Sequence, residues 1–175
     1  MKQNYLNWRQ TDPRFNQSEA WPSALFPQAD FHVFRDCGCL VCALAVMLRH
    51  GGVEKEEDEA LFDPWILNQR LIAAGAFSDS ADLELSAVQN LYPLVYLGSV
   101  PYSEKALAQL VESGHLCLVT VPGQNADRHF TAFYRFLPGG ASVIDPLCGE
   151  RKLSSYDRVC EIRVFRKAEE TESAE

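Results

Sequence analysis

The chain predicts an α+β fold, because helical patterns come first along it and extended ones afterwards. From Cys39 to Leu48 the sequence reads Cys-Leu-Val-Cys-Ala-Leu-Ala-Val-Met-Leu, which is about two and a half turns of helix apolar on every side. Such a helix belongs at the centre of a domain. Beyond residue 115, apolar residues alternate with polar ones or run in short stretches between turn formers, as in an antiparallel sheet.

The elements follow in order. Residues 1–35 hold Asp12-Pro13, Trp21-Pro22 and Phe26-Pro27 and little periodicity, so they read as an irregular arm laid over the domain. Gly51-Gly52 stops the apolar helix. Asp63 is placed to cap a second helix with Pro64 in its first turn, Ile66, Leu67, Leu71 and Ile72 on one face, and Gly75 at its end. Residues 81–91 fit a third helix through Leu83, Leu85 and Val88, and 94–97 fit a strand. Ser103 caps a helix over 104–112 that stops at Gly114. Residues 116–121 read as a buried strand. Segments 130–136 and 141–144 flank Pro138-Gly139-Gly140 as a hairpin, and 159–165 alternates as a last strand. One domain over 1–166 results, followed by an acidic, disordered tail at 167–175.

Bulk composition narrows the function. Of 175 residues, 47% are apolar and 23% charged, which is globular composition with enough chain for a real core. The net charge of −8 repels phosphate backbones, so nucleic acid is not an expected partner. No run approaches the roughly 18–20 apolar residues of a membrane span, and the first residues lack a signal core. The expectation is a cytoplasmic protein, with phage encoding or another export route left open. The run from Glu54 to Glu59 reads as solvated. Six cysteines are too few for a disulfide scaffold and read as reduced thiols.

Three residues stand out chemically. Cys39 sits where irregular chain meets the apolar helix, and a thiol there faces unpaired backbone N–H groups and the positive end of the helix dipole. Cysteine is also a common small buried apolar residue, so position alone leaves the two roles even. His129 opens an alternating strand after the polar loop 123–128, where an imidazole is well placed to act as a base. Asp145 ends the other hairpin strand, in Val143-Ile144-Asp145-Pro146, where turn aspartates are frequent. Counting back from the turn, a regular hairpin sets Asp145 opposite Ala132, so contact with His129 needs a bulge, strong twist or reach. Together the three match the nucleophile, base and orienter of acyl transfer. His32, His50 and His115 are weaker bases; His50 falls at a helix C-terminus, where a charged ring is favourable.

Several blocks carry a family resemblance. Gly38-Cys39 with the apolar stretch to Leu48 and Gly51-Gly52 resembles the nucleophile helix of the bacteriocin-leader-peptidase-like (double-glycine peptidase-like) branch of papain-like cysteine peptidases. The segment from Asp63-Pro64 through Leu67-Asn68 to Leu71 is similar to the family's next helix. His129-Phe130 and Asp145-Pro146-Leu147-Cys148-Gly149 resemble its His-Phe and Asp-Pro-x-x-Gly signatures, and Gln10-Thr11-Asp12-Pro13-Arg14-Phe15 its Gln-x-Asp-x-Arg-Trp opening. The blocks span roughly residues 8–157 in the family's order. The resemblance implies a papain-like fold, a Cys39–His129–Asp145 triad and a peptide or other amide substrate, with no cofactor and no metal. It also implies an oxyanion-binding glutamine six residues before the nucleophile, where Val33 stands; Gln28, Asp36 or backbone N–H groups at Cys39 are the alternatives. Cys37 is a second thiol beside the nucleophile, able to form a reversible disulfide or replace it.

Three other functions fit parts of the pattern. An acyltransferase would use the same site, with an amine in place of water. A metal site could use Cys37-x-Cys39-x-x-Cys42 with Cys148 or His129, although Cys42 falls inside the apolar helix and no second Cys-x-x-Cys exists. A catalytically weak binding module on the same fold would explain the missing glutamine.

Overall fold

The computed structural model describes residues 5–13, 38–54, 62–78, 82–123 and 128–168. Among these, three α-helices, α1 (Cys39–His50), α2 (Pro64–Ala73) and α3 (Glu104–Glu112), accompany six strands. The strands are β1 (Leu94–Pro101), β2 (Leu116–Val121), β3 (His129–Leu137), β4 (Gly140–Asp145), β5 (Gly149–Lys152) and β6 (Glu161–Lys167). They form one antiparallel sheet in the order β1-β6-β2-β3-β4-β5. The α+β class is therefore present, with a wholly antiparallel sheet. No helix among the described residues is long and apolar enough to cross a membrane.

The apolar stretch does form the central helix. Every residue from Val41 to Arg49 is buried, because α1 lies between the sheet, α2 and the segment around Trp8. Period-two alternation divides the sheet's two faces. Leu118, Ala132, Ile144 and Phe165 point to α1, while Cys117, Val119, Val143 and Val164 join Leu107 of α3 in a second core. Caps read from the sequence close the other helices: Asp63 Oδ1 accepts from Ile66 N at 2.9 Å and Ser103 Oγ from Ala106 N at 3.0 Å. Gly51 lets the end of α1 approach β2, since a Cβ there would lie 2.7 Å from Leu116.

Four expectations change. Residues 85–90 form a 3₁₀ helix within the 81–91 segment expected to be an α-helix; Leu85 and Val88, three apart, serve either geometry. Strand β5 was not foreseen, because Glu150, Arg151 and Lys152 are exposed and show no apolar alternation. Glu54 is buried rather than solvated, held by Arg70 Nη1 at 2.7 Å, with Tyr92 on the same guanidinium at 3.1 Å. Residues 55–61, the rest of the acidic run, lie outside the described residues, as do 14–35 of the arm and most of the tail, 169–175. His50 is exposed but packs edge to face on Tyr134, and the partial desolvation there lowers its pKa from 6.5, so its site does not favour the charged ring.

One core residue breaks the apolar rule without compensation. Asn68 of α2 is fully buried, and neither end of its amide has a hydrogen-bond partner among the described residues. Leucine is its near isostere. Asn68→Leu is expected to raise unfolding free energy by about 1–3 kcal/mol, read as a higher urea midpoint at unchanged slope.

Candidate active site

Helix α1 and strand β3 bring the first two candidates together. Eleven helical steps from Cys39 to His50 span about 16 Å, and five strand steps from His129 to Tyr134 also span about 16 Å. The two elements match in length, and contacts pin them at both ends. At one end the Cys39 thiol stands beside the His129 ring, close enough to act on its charge. At the other, the His50 and Tyr134 rings meet edge to face, with centroids 5.0 Å apart. Cys39 and His129 are each the first residue of their element, so both stand at the same end of the helix–sheet layer. The N-cap of α1 is Gly38, which offers no side-chain acceptor to the first-turn N–H groups.

Asp145 reaches His129 because the hairpin is not regular. Next to the turn, Leu137 pairs with Gly140 and Arg135 with Ser142, but beyond Tyr134 the partners become Phe133 with Val143 and Ala132 with Ile144. Tyr134 is thus an extra residue in β3. One inserted residue exchanges the faces, so Asp145 comes level with Thr131 instead of Ala132 and shares a face with His129. The remaining diagonal offset is within side-chain reach. His129 Nε2 and Asp145 Oδ1 lie 2.8 Å apart, with both residues buried. With Nε2 engaged there, Nδ1 is the ring nitrogen left for the Cys39 sulfur.

The carboxylate is itself held tightly. Leu147 N donates to Oδ1 at 2.7 Å, an Asx turn that starts the β4–β5 hairpin, and Tyr156 Oη donates to Oδ2 at 2.5 Å. Gly149 closes this hairpin with φ +92°, and the Arg9 guanidinium fills the space its side chain would need. Gln10 N donates to Pro146 O at 3.0 Å, so the segment around residues 8–13 is fastened to the same turn.

These contacts set the electrostatics. Burial disfavours a charged His129 ring, but hydrogen bonds to Asp145 and Cys39 and their charges outweigh it and push the pKa up to about 9. Burial likewise works against the Asp145 carboxylate. The bonds from His129 and Tyr156, the His129 charge and the Leu147 amide win, and hold it well below the usual carboxylate range. The pair is built to carry an imidazolium against a carboxylate near neutral pH.

The other thiols have different surroundings. Burial pushes Cys42 far up, since it is wholly enclosed inside α1, and Cys117 up to about 12. Cys148 is exposed, but partial burial and Asp145 beside it raise its pKa too. All five described cysteines are free. Cys37, with Gln28, Val33, Asp36 and His32, lies outside the described residues. Among the described residues no group of three or more His, Cys, Asp or Glu side chains could hold a metal ion. His115 Nδ1 lies 3.2 Å from Leu110 O, away from the three candidates.

Tyr156 and the Leu147 amide escaped sequence reasoning. The Asp-Pro turn signal pointed to the amide, because aspartate in a turn commonly bonds the N–H two residues on. Nothing around Ser154-Ser155-Tyr156 marks the phenol. No family model, curated protein or solved structure matches the chain.

Proposed function

We propose that the protein is a papain-like cysteine hydrolase acting on peptide or other amide bonds, with Cys39 as nucleophile, His129 as acid–base and Asp145 orienting the ring. One observation carries this reading: His129 is hydrogen-bonded to a buried, triply held carboxylate while a half-buried thiol at a helix start stands beside its ring. A histidine serving only packing has no need of both partners.

The Cys39 sulfur attacks the carbonyl carbon as its thiolate, with the proton held on His129. The resulting oxyanion is met by N–H groups of the first turn of α1, which Gly38 leaves without a side-chain acceptor. As the C–N bond breaks, His129 gives its proton to the leaving amine, and an acyl-thioester remains on Cys39. Water then attacks the thioester while His129 takes its proton; the acid product leaves and the thiol is restored. Asp145 keeps the ring in one tautomer and supports the imidazolium throughout.

The test uses reactivity, because it needs no known substrate. Iodoacetamide at less than one equivalent should alkylate Cys39 before the other five thiols, as read by peptide mass mapping. Even labelling of all six cysteines, or preference for Cys148, would defeat the reading.

A further inference from the structure

We infer that Tyr156 is a positioning residue for the catalytic pair, fixing the plane of the Asp145 carboxylate so that Oδ1 faces His129. The inference rests on the hydrolase reading above. Two donors, His129 Nε2 and Leu147 N, meet on Oδ1 at 2.8 and 2.7 Å. Both act on a single oxygen, so neither fixes the rotation of the carboxylate about its Cβ–Cγ bond. Oδ2 accepts from the Tyr156 hydroxyl at 2.5 Å. Asp145 is 2% exposed, so solvent cannot replace that bond.

The phenol is well anchored for this task. It follows the 3₁₀ turn Leu153–Ser155, whose Leu153 is buried in the second core. Its ring lies under the Arg151 guanidinium, 4.2 Å from the ring centroid. Arg151 is tied in turn to Ser155, Nε to Oγ at 2.7 Å and Nη2 to the backbone oxygen at 3.0 Å. Burial and the adjacent Asp145 raise the Tyr156 pKa strongly, so the hydroxyl stays a donor wherever the enzyme would work. A tyrosine kept only for packing would not need its hydroxyl aimed at the carboxylate.

A double-mutant cycle on the rate of Cys39 alkylation separates positioning from packing. Tyr156→Phe should slow alkylation at pH 7 about tenfold, the usual cost of removing a partner that orients a functional ligand. In an Asp145→Ala background the same change should alter the rate less than about twofold, because the phenol acts only through the carboxylate. The low-field proton resonance of the His129–Asp145 bond should move in Tyr156→Phe while far-ultraviolet circular dichroism stays native. Arg151→Gln, an exposed change that keeps the hydroxyl, should slow alkylation by a smaller factor and be equally silent without Asp145; it serves should Tyr156→Phe fold poorly. Equal slowing in both backgrounds, or no slowing by either variant, overturns the inference. If Cys39 is not selectively alkylated in the unmodified protein, the hydrolase reading has failed instead.

Discussion

Replacing His129 with alanine is expected to slow alkylation of Cys39 at pH 7 by one to two orders of magnitude. An isolated thiol with a pKa of ~8.5 is only about 3% ionised at pH 7, and the thiolate alone is the nucleophile. An adjacent imidazolium favours the thiolate form over the thiol, so a cysteine beside one outreacts an isolated thiol. His129 is able to supply that imidazolium, because Asp145 and Cys39 raise the ring's pKa to about 9. Alanine removes the cation and leaves Asp145 facing the gap, a negative charge that further opposes a thiolate. The pH profile changes as well: the rate in the unmodified protein should respond to the titration of His129, raised to about 9, and the variant should lack that inflection. Second-order rate constants from pH 5 to 9 decide the matter. Matching profiles for the two proteins would rule out a working cysteine–histidine pair.

How far this site could be read from the sequence depends on which contacts are local. The α1 helix was legible because ten consecutive apolar residues admit few other fates, and α2 and α3 because Asp63, Pro64 and Ser103 are capping residues acting over three positions. The hairpin was legible from Pro138-Gly139-Gly140. The link between His129 and Asp145 was not, because it hangs on Tyr134. A bulge inserts one residue without any compositional mark, and counting from the turn then puts the aspartate on the wrong face. Strand β5 was hidden for a related reason: its side chains after Gly149 face solvent, and only its backbone pairing with β4 defines it. Glu54 and His50 misled in the opposite way. The charge of Glu54 suggested solvent, but it is buried with Arg70 compensating it, and His50, at the helix end where a charged ring would be favourable, packs instead on Tyr5 and Tyr134.

A substitution at Asp145 should produce the largest combined effect, on stability and reactivity together. Asp145→Asn preserves shape but removes the charge opposing His129. Breaking a buried charged pair by altering one partner costs about 3–5 kcal/mol, because the other charge is left buried. Its pH dependence follows from the shifts. The Asp145 pKa in the folded protein lies below the ordinary value of 3.8, so its contribution is present above about pH 4 and fades as pH falls further. His129 is raised from 6.5 to about 9, so its contribution is complete below about pH 6.5 and is lost as pH climbs through 9. The gap in unfolding free energy between unmodified protein and variant should therefore be widest near pH 5–6.5, and should narrow by pH 10 to what the still-ionised carboxylate gains over an amide from its hydrogen bonds, about 1.5–3 kcal/mol. Urea unfolding at pH 5.5, 7.5 and 10 reads it directly. Cys39 alkylation at pH 7 should fall in the same variant, since the ring loses the partner that keeps it protonated and turned towards the sulfur. A gap independent of pH would mean that Asp145 serves the Asx turn alone, through Leu147, and that His129 carries no charge beside it.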